Sequence, residues 1–385
     1  MDLPATADVV IIGGGVMGTS TAYHLALKDC RDVLLLEQDS FFGTGATGKC
    51  AGGIRHQFGT EINVRLSLLS LPMLDRFEEE LDQPIDLRYC GYLFLLTDEE
   101  DVEVFRGNVA MQHRLGVETQ WLEPDGIAAV APLLDLEGVL AGTFHNREGL
   151  ADPSSVVQGY VSGARRLGAT LLNDVEVMGV RIEGGRVQGV VTDRGEIATP
   201  VVVNAAGPWA AEVGRVAGVD IPIVPVRRQI AVTTPLPEIP PDFPFIIDFA
   251  RSLYFHREGP AVLTGMSNPD EIVGFNQSVD PDWELTHLEA AIKRLPILEK
   301  AGIASRWAGL YENSPDAHPI LGRIPEVEGF YCIGGFSGHG FQHGPACGLL
   351  LAEEILDGAA HTLDISPLDL ARFHEGRVIV EYNVV

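Results

Sequence analysis

The sequence has few cysteines, and no two of them have the spacing of a zinc or redox motif. Its five cysteines are odd in number and scattered over 385 residues, at Cys30, Cys50, Cys90, Cys332 and Cys347. A disulfide framework is therefore not expected, and no metal site is expected either. Reduced thiols in a reducing compartment fit this pattern best.

Basic residues are also scarce. The chain has 27 Lys and Arg against 54 Asp and Glu, which gives a formal net charge of −27. Nucleic-acid phosphates would be repelled by such a charge, so we expect no nucleic-acid partner. The charge itself does not identify a substrate, and an anionic substrate would need a local positive group.

Long apolar runs are missing too. No stretch approaches the roughly 18 residues that a membrane-spanning helix needs, so we expect no membrane association. The first residues, MDLPATADVVIIGGG, lead into a strand without the basic region of a signal peptide. This pattern predicts a cytoplasmic protein. With 46% hydrophobic and 21% charged residues, the composition is that of an ordinary soluble globular protein of one to three domains.

The hydrophobic pattern predicts a βαβ unit at the start of the chain. The expected elements are a strand over Asp8–Ile12, a helix over Val16–Lys28 and a strand over Val33–Glu37. A long amphipathic helix, kinked at Pro72, is expected over Glu61–Leu81.

Along the rest of the chain, segments with nucleotide-domain patterns alternate with segments that have the pattern of a separate sheet. This alternation indicates two interleaved domains. Residues 222–300 resemble a separate sheet, with a hairpin turn near Gly259-Pro260. We expect one domain from residues 1–85, 146–221 and 301–385, and another from residues 86–145 and 222–300. The expected fold class is α/β (α+β), with a nucleotide-binding domain interleaved with a mixed-sheet substrate domain.

A glycine motif lies where the first strand meets the first helix. Gly13, Gly15 and Gly18 form a G-x-G-x-x-G pattern, and Glu37 ends the second strand. Such glycines permit a tight turn, a close approach to a pyrophosphate and close helix–strand packing, while the acidic residue accepts hydrogen bonds from a ribose. The motif predicts a dinucleotide but does not distinguish FAD from NAD. A second glycine-rich stretch, residues 43–55, suits an extended ligand and favours FAD.

Four ordered motifs resemble one flavoprotein family. ATGKCAGGIRHQF, NAAGPWA, WAGLYENSPDAHPILG and GGFSGHGFQHGPACG are similar to segments of the D-amino-acid-oxidase-type flavoproteins, and most of all to sarcosine oxidase, glycine oxidase and the β subunits of sarcosine oxidase and proline dehydrogenase. The resemblance covers nearly the whole chain. It implies a Rossmann-type, noncontiguous FAD domain beside a sheet-based substrate domain, and oxidation of an amino acid at its Cα–N bond.

The resemblance also implies roles for individual residues. Arg55 matches the arginine that binds the substrate carboxylate, and Tyr254 and Tyr311 match active-site tyrosines. Gln342 and His339 complete the candidate catalytic set. The candidate cofactor-binding residues are Gly13, Gly14, Gly15, Val16, Met17, Gly18, Glu37, Gln38, Thr44, Ala46, Thr47, Cys50, Ala51, Val177, Ala205, Ala206, Gly207, Trp209, Gly309, Gly335, Phe336, Gly338, His339, Gly340, Phe341 and Gln342.

Three positions depart from the sarcosine-oxidase pattern. Gly309 stands where the monomeric enzymes have the cysteine that binds flavin covalently, so we expect noncovalent FAD. Cys50, near the position of a flavin-binding histidine in dimethylglycine-dehydrogenase relatives, leaves covalent attachment open. Gln342 replaces a lysine that pairs with the arginine, and Thr264 falls near a lysine implicated in oxygen activation. The last difference weakens the case for oxygen as acceptor.

The late glycine loop has an expected role in flavin chemistry. A helix start aimed at the flavin stabilises the negative charge that two-electron reduction places on it. We expect residues 336–342 to supply N–H groups and a helix beginning near Pro345 to supply the dipole. We expect no metal at His339 or His343, since no carboxylate or cysteine stands at metal-ligand spacing.

The expected function is oxidation of a small amino acid, most of all an N-substituted glycine. Hydride would pass to flavin N5, oxygen would become hydrogen peroxide, and the imine would hydrolyse. One alternative is a dehydrogenase β subunit that passes electrons to a partner. A second is an assembly or scaffold protein that carries FAD without turnover. The sequence does not decide whether the protein forms a homo-oligomer.

Overall fold

The computed structural model describes residues 3–384. This part of the chain contains the following α-helices: α1 Val16–Leu27, α2 Glu61–Asp75, α3 Phe77–Leu81, α4 Glu99–Arg114, α5 Pro124–Val130, α6 Pro153–Arg166, α7 Ala210–Val216, α8 Pro281–Arg294, α9 Gly340–Asp357 and α10 Arg372–Glu375. Its β-strands are β1 Val9–Ile12, β2 Val33–Leu36, β3 Gly53–Ile54, β4 Tyr92–Leu96, β5 Gln120–Leu122, β6 Ala141–His145, β7 Gly149–Leu150, β8 Thr170–Leu172, β9 Val177–Glu183, β10 Arg186–Thr192, β11 Gly195–Ala198, β12 Val202–Asn204, β13 Val224–Thr233, β14 Phe245–Asp248, β15 Leu253–Glu258, β16 Ala261–Met266, β17 Ile303–Asn313, β18 Ile320–Arg323 and β19 Phe330–Gly334.

A six-stranded sheet forms the centre of the nucleotide-binding half. Its strand order is β18-β19-β12-β1-β2-β8, and all neighbours are parallel except β18 and β19. β1 and β2 are continuous apolar runs, VVII and VLLL, buried at every position. Such runs are typical of a parallel sheet that is covered on both faces.

An eight-stranded mixed sheet forms the other half. Its order is β17-β13-β16-β15-β14-β4-β6-β5, with β4 and β14 parallel. The predicted hairpin is confirmed, because Glu258 pairs with Ala261 across Gly259-Pro260. A smaller sheet consists of β9, β10 and β11. β3 and β7 form a separate two-stranded antiparallel ribbon.

Sheet membership supports the interleaving of the two halves. Every strand of the six-stranded sheet comes from the three segments expected for the first domain. β17 belongs to the larger sheet, although it follows residue 301, where the sequence analysis placed the return to the first domain. The division into domains stays a prediction.

Two helix predictions need correction. The segment Glu61–Leu81 forms two helices that separate at Arg76, and Pro72 lies inside the first of them. The helix expected near Pro345 begins five residues earlier, at Gly340, and contains Pro345. Ser337 and Gly338 have φ of +49° and +98°, so the chain turns there and the helix follows directly.

No helix in residues 3–384 combines the length and the apolar character needed to cross a membrane.

Candidate functional site

A long cleft follows the carboxyl ends of β1, β2 and β12. Its volume is about 430 Å³. Ile12, Leu36 and Ala205, at or next to the ends of these strands, all line it. Ligands of parallel α/β sheets bind at this edge. The cleft continues to the late glycine loop, where Phe336, Gly338, Gly340 and Phe341 line its other end.

The first glycine loop is built for close backbone contact. Gly13 has φ +111°, and a Cβ at this position would overlap the Ala205 carbonyl oxygen. A Cβ on Gly18 would overlap the Gly13 carbonyl oxygen, so Gly18 acts in packing and does not line the cleft. The Glu37 carboxylate accepts the Gly14 N–H at 2.6 Å, which fixes this carboxylate beside the loop.

The two helix starts lie together because α1 and α9 pack closely. A Cβ on Gly344 would come within 2.7 Å of the Val16 Cγ2 atom, and one on Gly348 would overlap Ser20. Ser20 Oγ also donates to the Pro345 carbonyl oxygen at 3.5 Å. Helix starts leave backbone N–H groups unpaired and carry partial positive charge. Both ends therefore suit one electron-rich or anionic ligand, and a dinucleotide such as FAD fits the cleft.

Most predicted cofactor residues line this cleft. They are Gly13, Gly14, Gly15, Val16, Met17, Glu37, Gln38, Ala46, Thr47, Cys50, Val177, Ala205, Ala206, Gly207, Trp209, Phe336, Gly338, Gly340 and Phe341. Ala51, His339 and Gln342 instead line a second pocket. Gly18, Thr44, Gly309 and Gly335 line neither. Thr44 donates to Asp39 Oδ2 at 2.8 Å, and Gly309 packs on Lys49.

The second pocket adjoins the cleft and is small, with a volume of about 60 Å³. Cys50, Tyr311, Gly338 and Phe341 line both spaces, so the two meet beside the late glycine loop. The remaining lining residues are Ala51, Gly52, Gly53, Arg55, Tyr92, Phe245, Tyr254, Ser337, His339, Gln342 and Val384. All five candidate catalytic residues, Arg55, Tyr254, Tyr311, His339 and Gln342, are thus brought together.

Arg55 carries a positive charge in this pocket. Its side chain is buried, donates to the carbonyl oxygens of Gln57 and Asn383, and stacks over Phe58 at 3.9 Å. Within residues 3–384, no carboxylate oxygen lies within 4.0 Å of its guanidinium nitrogens. Burial lowers the pKa of Arg55, since a charge is unfavourable inside a protein, and the more distant carboxylates of Glu381 and Glu148 offset this shift only in part. The pocket therefore favours an anionic group.

The other polar groups of the pocket are neutral. Burial lowers the pKa of His339 well below its usual value, and neither ring nitrogen has a hydrogen-bond partner among residues 3–384. Burial also lowers the pKa of His343, whose ring packs behind the pocket at 5.2 Å from the ring of His339, to about 3. The hydroxyls of Tyr254 and Tyr311 have pKa values raised by burial, so they stay protonated. Arg55 is the cation among the described residues that line this pocket.

Gln342 contacts the backbone of Arg55. Its amide binds both the N–H and the carbonyl of Arg55, and it also donates to Ser67 Oγ at 3.1 Å. Thr264 lies elsewhere, since its hydroxyl is buried between the Tyr254 carbonyl and His287 and lines neither space.

Sequence reasoning missed several residues of the site. Tyr92 and Phe245 stack at 4.3 Å and line the small pocket, while Glu312 lines the cleft. Nothing local marks Tyr92, which reaches the pocket through the pairing of distant strands. The C-terminal segment was also missed. Val384 lines the small pocket, and the buried Glu381 accepts hydrogen bonds from the N–H groups of residues 59 and 60.

The chain is similar to several known proteins. Residues 8–354 match the family described as FAD dependent oxidoreductase. Human mitochondrial sarcosine dehydrogenase is 32% identical over 97% of this chain, and the match covers 42% of that relative. Rat mitochondrial dimethylglycine dehydrogenase is 32% identical over 95% of this chain and 45% of its own length. The chain thus spans less than half the length of these curated relatives.

Solved structures give the same fold. L-proline dehydrogenase from P. horikoshii is 34% identical, has a TM-score of 0.90, and the match covers 97% of this chain and 99% of that one. Glycine oxidase from Geobacillus kaustophilus, 24% identical, has a TM-score of 0.85 over 96% of this chain and 99% of its own and supports the fold alone. The two-domain fold expected from the sequence is confirmed, and FAD is the cofactor. The chain belongs to the FAD-dependent oxidoreductase family.

Proposed function

We propose that this protein binds FAD noncovalently and oxidises a small amino acid with a substituted nitrogen, such as an N-substituted glycine. The observation that carries the proposal is the position of Arg55. It is a buried cation without a carboxylate partner among residues 3–384, and it lines a small pocket that opens onto the cofactor cleft. A substrate carboxylate would supply a direct ion-pair partner, in a bidentate pair if two N–H groups face it.

The size and polarity of the pocket support a small substrate. Aromatic side chains from Tyr92, Phe245 and Tyr254 form walls, and the protonated hydroxyls of the tyrosines can donate hydrogen bonds. The neutral His339 adds no second positive charge, so a substrate amine is not repelled by it. The low pKa of this imidazole makes it a weak base, and the proposal needs the amine to enter in its neutral form.

When held in the cleft, FAD would supply the two-electron oxidation of the substrate's carbon–nitrogen bond to an imine, which water would hydrolyse, with oxygen as the acceptor that becomes hydrogen peroxide. The chain's own residues bind and orient the substrate. Arg55 would hold the carboxylate, Gln342 would hold Arg55, and the start of α9 would stabilise negative charge at the end of the cleft next to the pocket.

Noncovalent attachment is supported by two residues. Gly309 offers no thiol, and a Cβ there would lie 2.9 Å from the Lys49 Cβ atom. Burial raises the pKa of Cys50 to about 11, so this residue stays a thiol and a poor nucleophile. Denaturation with acid should therefore release all of the yellow cofactor, and cofactor retained by the precipitated chain would show attachment.

A panel of substrates tests the proposal. We expect anaerobic addition of N-substituted glycines to bleach the flavin, with peroxide formed once oxygen is admitted. Arg55→Ala should raise KM for carboxylate substrates by about 100-fold, roughly 3 kcal/mol, and leave FAD content unchanged. The rate with an amine that lacks the carboxylate should be insensitive to this substitution. Arg65→Ala, at a surface ion pair with Glu61, is the control variant. If Arg55→Ala weakens substrate binding and FAD binding equally, the role of Arg55 is structural.

A dehydrogenase is the second candidate. Thr264 is buried in the core near the position where the family resemblance places an oxygen-activating lysine, and three of the four similar proteins named above carry dehydrogenase names. Rapid flavin bleaching by substrate, followed by slow reoxidation in air and fast reoxidation by an artificial dye, would favour this candidate. A flavin that no substrate bleaches would favour the scaffold alternative.

A further inference from the structure

Two histidines and a glutamate converge beside the wall that carries Arg55. His56 is the residue after Arg55 and lies just beyond the end of β3. His145 is the last residue of β6, and Glu148 is the residue before β7. β3 and β7 pair antiparallel, with Gly53 opposite Leu150, so the ribbon brings Glu148 to His56. The His56 and His145 rings lie 5.3 Å apart at 68°. One ligand atom from each residue lies within 4.8 Å of the other two.

The distances in this cluster suit a metal better than hydrogen bonds. His56 Nδ1 lies 3.4 Å and His145 Nδ1 lies 3.7 Å from Glu148 Oε1. Hydrogen bonds between nitrogen and oxygen are shorter, about 2.7–3.2 Å. Ligands about 2.0–2.2 Å from a tetrahedral zinc ion are separated by roughly 3.3–3.6 Å from one another, which is close to these two separations from Glu148 Oε1.

Within the described chain, the two imidazole ligand atoms lack other partners. Both Nδ1 atoms are buried and make no hydrogen bond within the described chain. The Glu148 side chain is 0% exposed, whereas the histidine side chains keep 11% and 10% exposure, which leaves a path for an ion.

Surrounding groups orient the carboxylate. Glu148 Oε2 accepts from Gln57 Nε2 at 2.7 Å, and Oε1 accepts the His56 N–H at 2.5 Å. Such outer hydrogen bonds hold the ligands of protein metal sites in place. The carbonyl oxygen of Gln57 in turn accepts from the Arg55 guanidinium. The cluster is thus connected to the small pocket through a single residue.

We propose that His56, His145 and Glu148 bind one zinc ion, with water as the fourth ligand, and that this ion braces the pocket wall around Arg55. Two imidazoles and one carboxylate are a ligand set that zinc accepts, and zinc binds such sites more tightly than iron or manganese. The ion would neutralise the buried Glu148. No redox step is assigned to it. His56 and Glu148 lie 92 residues apart in the sequence, so only the fold brings the three ligands together, and the sequence alone predicted no metal.

Zinc binding by the FAD-loaded protein, stripped of metal with a chelator, tests the site directly and needs no turnover. We expect one zinc ion per chain in a titration against a chromogenic chelator, and the characteristic visible bands of a tetrahedral site when cobalt replaces zinc. His56→Ala and His145→Ala should each weaken zinc binding at least tenfold. His361→Ala, at a histidine with 61% of its side chain exposed, should have no effect.

Thermal unfolding separates zinc binding from misfolding of a variant. Zinc should raise Tm of the wild type and of His361→Ala, and leave Tm of both cluster variants unchanged. If a cluster variant does not fold, zinc binding by the wild type and the accompanying rise in its Tm test the proposal. A wild-type protein that binds no zinc, or zinc binding that both cluster substitutions leave intact, overturns the proposal.

Discussion

Gln342 binds Arg55 with both ends of its amide. Its Oε1 atom accepts the Arg55 N–H at 2.8 Å, and its Nε2 atom donates to the Arg55 carbonyl oxygen at 3.0 Å. Gln342 lies in the first turn of α9, the helix that begins at the cofactor cleft. The pocket cation is therefore tied to the same helix start that faces the cleft, although 287 residues separate the two in the chain.

Gln342→Met tests whether this contact positions the arginine. The substitution keeps the side-chain volume and leaves the buried N–H and C=O of Arg55 without partners, at a cost of about 1–3 kcal/mol. We expect KM for a carboxylate substrate to rise about tenfold or more, and FAD content to stay the same. Gln277→Met is the control, since Gln277 accepts from Lys49 and lines neither space. An unchanged KM would show that Arg55 needs no such support.

Glu381 anchors the C-terminal segment over the start of α2. Its carboxylate accepts from the N–H groups of Gly59 and Thr60, the Thr60 hydroxyl and the Asn63 amide, at 2.6–3.1 Å. Glu381→Ala should leave these buried donors unpaired, and we expect a loss of about 3–5 kcal/mol in the free energy of unfolding. Denaturant unfolding measures it.

The same substitution should affect the small pocket. The Asn383 carbonyl oxygen accepts from Arg55 at 2.6 Å, and Val384 lines the pocket, so a released segment would loosen both. We expect a higher KM together with the lower stability. Glu375→Gln is the matched control, because the Glu375 side chain is 57% exposed. A destabilised variant with normal KM would limit this segment to a structural role.

Most residues that the sequence predicts for the cofactor line one cleft, because the signals that mark them are local. Gly13, Gly15 and Gly18 stand at fixed spacing between a strand and a helix, and the turn geometry follows directly from that pattern. The late glycine loop is equally local, and only the first turn of its helix was misplaced. A proline in mid-helix was interpreted as a helix start, whereas the positive φ of Gly338 sets the start.

The small pocket was harder to predict because its walls meet only through tertiary contacts. Tyr92 lies against Gly53, where a Cβ would come 3.1 Å from the tyrosine oxygen, and Val384 arrives from the far end of the chain. The family resemblance supplied Arg55, Tyr254 and Tyr311, which the structure brings together. It could not supply the partners of Arg55, since these depend on how the C-terminal segment packs.

Gly348→Ala tests the close packing of α1 against α9. A Cβ here would overlap the side chain and backbone of Ser20, so the two helices must move apart. Overpacking of this kind costs about 1–3 kcal/mol. We expect a lower Tm and an FAD affinity reduced severalfold, since both helix starts face the same cleft. Gly107→Ala, in α4 with open space around it, should leave FAD affinity unchanged. A variant that loses stability but keeps full FAD affinity would show that the packing of α1 on α9 does not determine FAD binding in the cleft.

The burial of Glu312 predicts a pH dependence of stability with a definite sign. This carboxyl lines the cleft, its Oε2 atom has no partner within residues 3–384, and burial raises its pKa from 4.5 to about 7. The folded state thus holds the proton more tightly than the unfolded state. The stabilisation from Glu312 is complete below pH 4.5 and is lost as pH rises through about 7, where the buried carboxyl must ionise.

Glu312→Gln removes this titration while keeping the shape of the neutral side chain. We expect the Tm of the FAD-loaded variant, relative to wild type, to rise between pH 5 and pH 8 by a few °C, within a limit of roughly 3 kcal/mol. Glu103 is exposed in α4, and the Tm of Glu103→Gln should differ from that of wild type by a constant amount across the same pH range. A Tm difference for Glu312→Gln that stays constant with pH would mean that the carboxyl is already ionised in the folded protein at pH 5. In that case the bound cofactor or an ordered water would have to supply the hydrogen bond that Oε2 lacks.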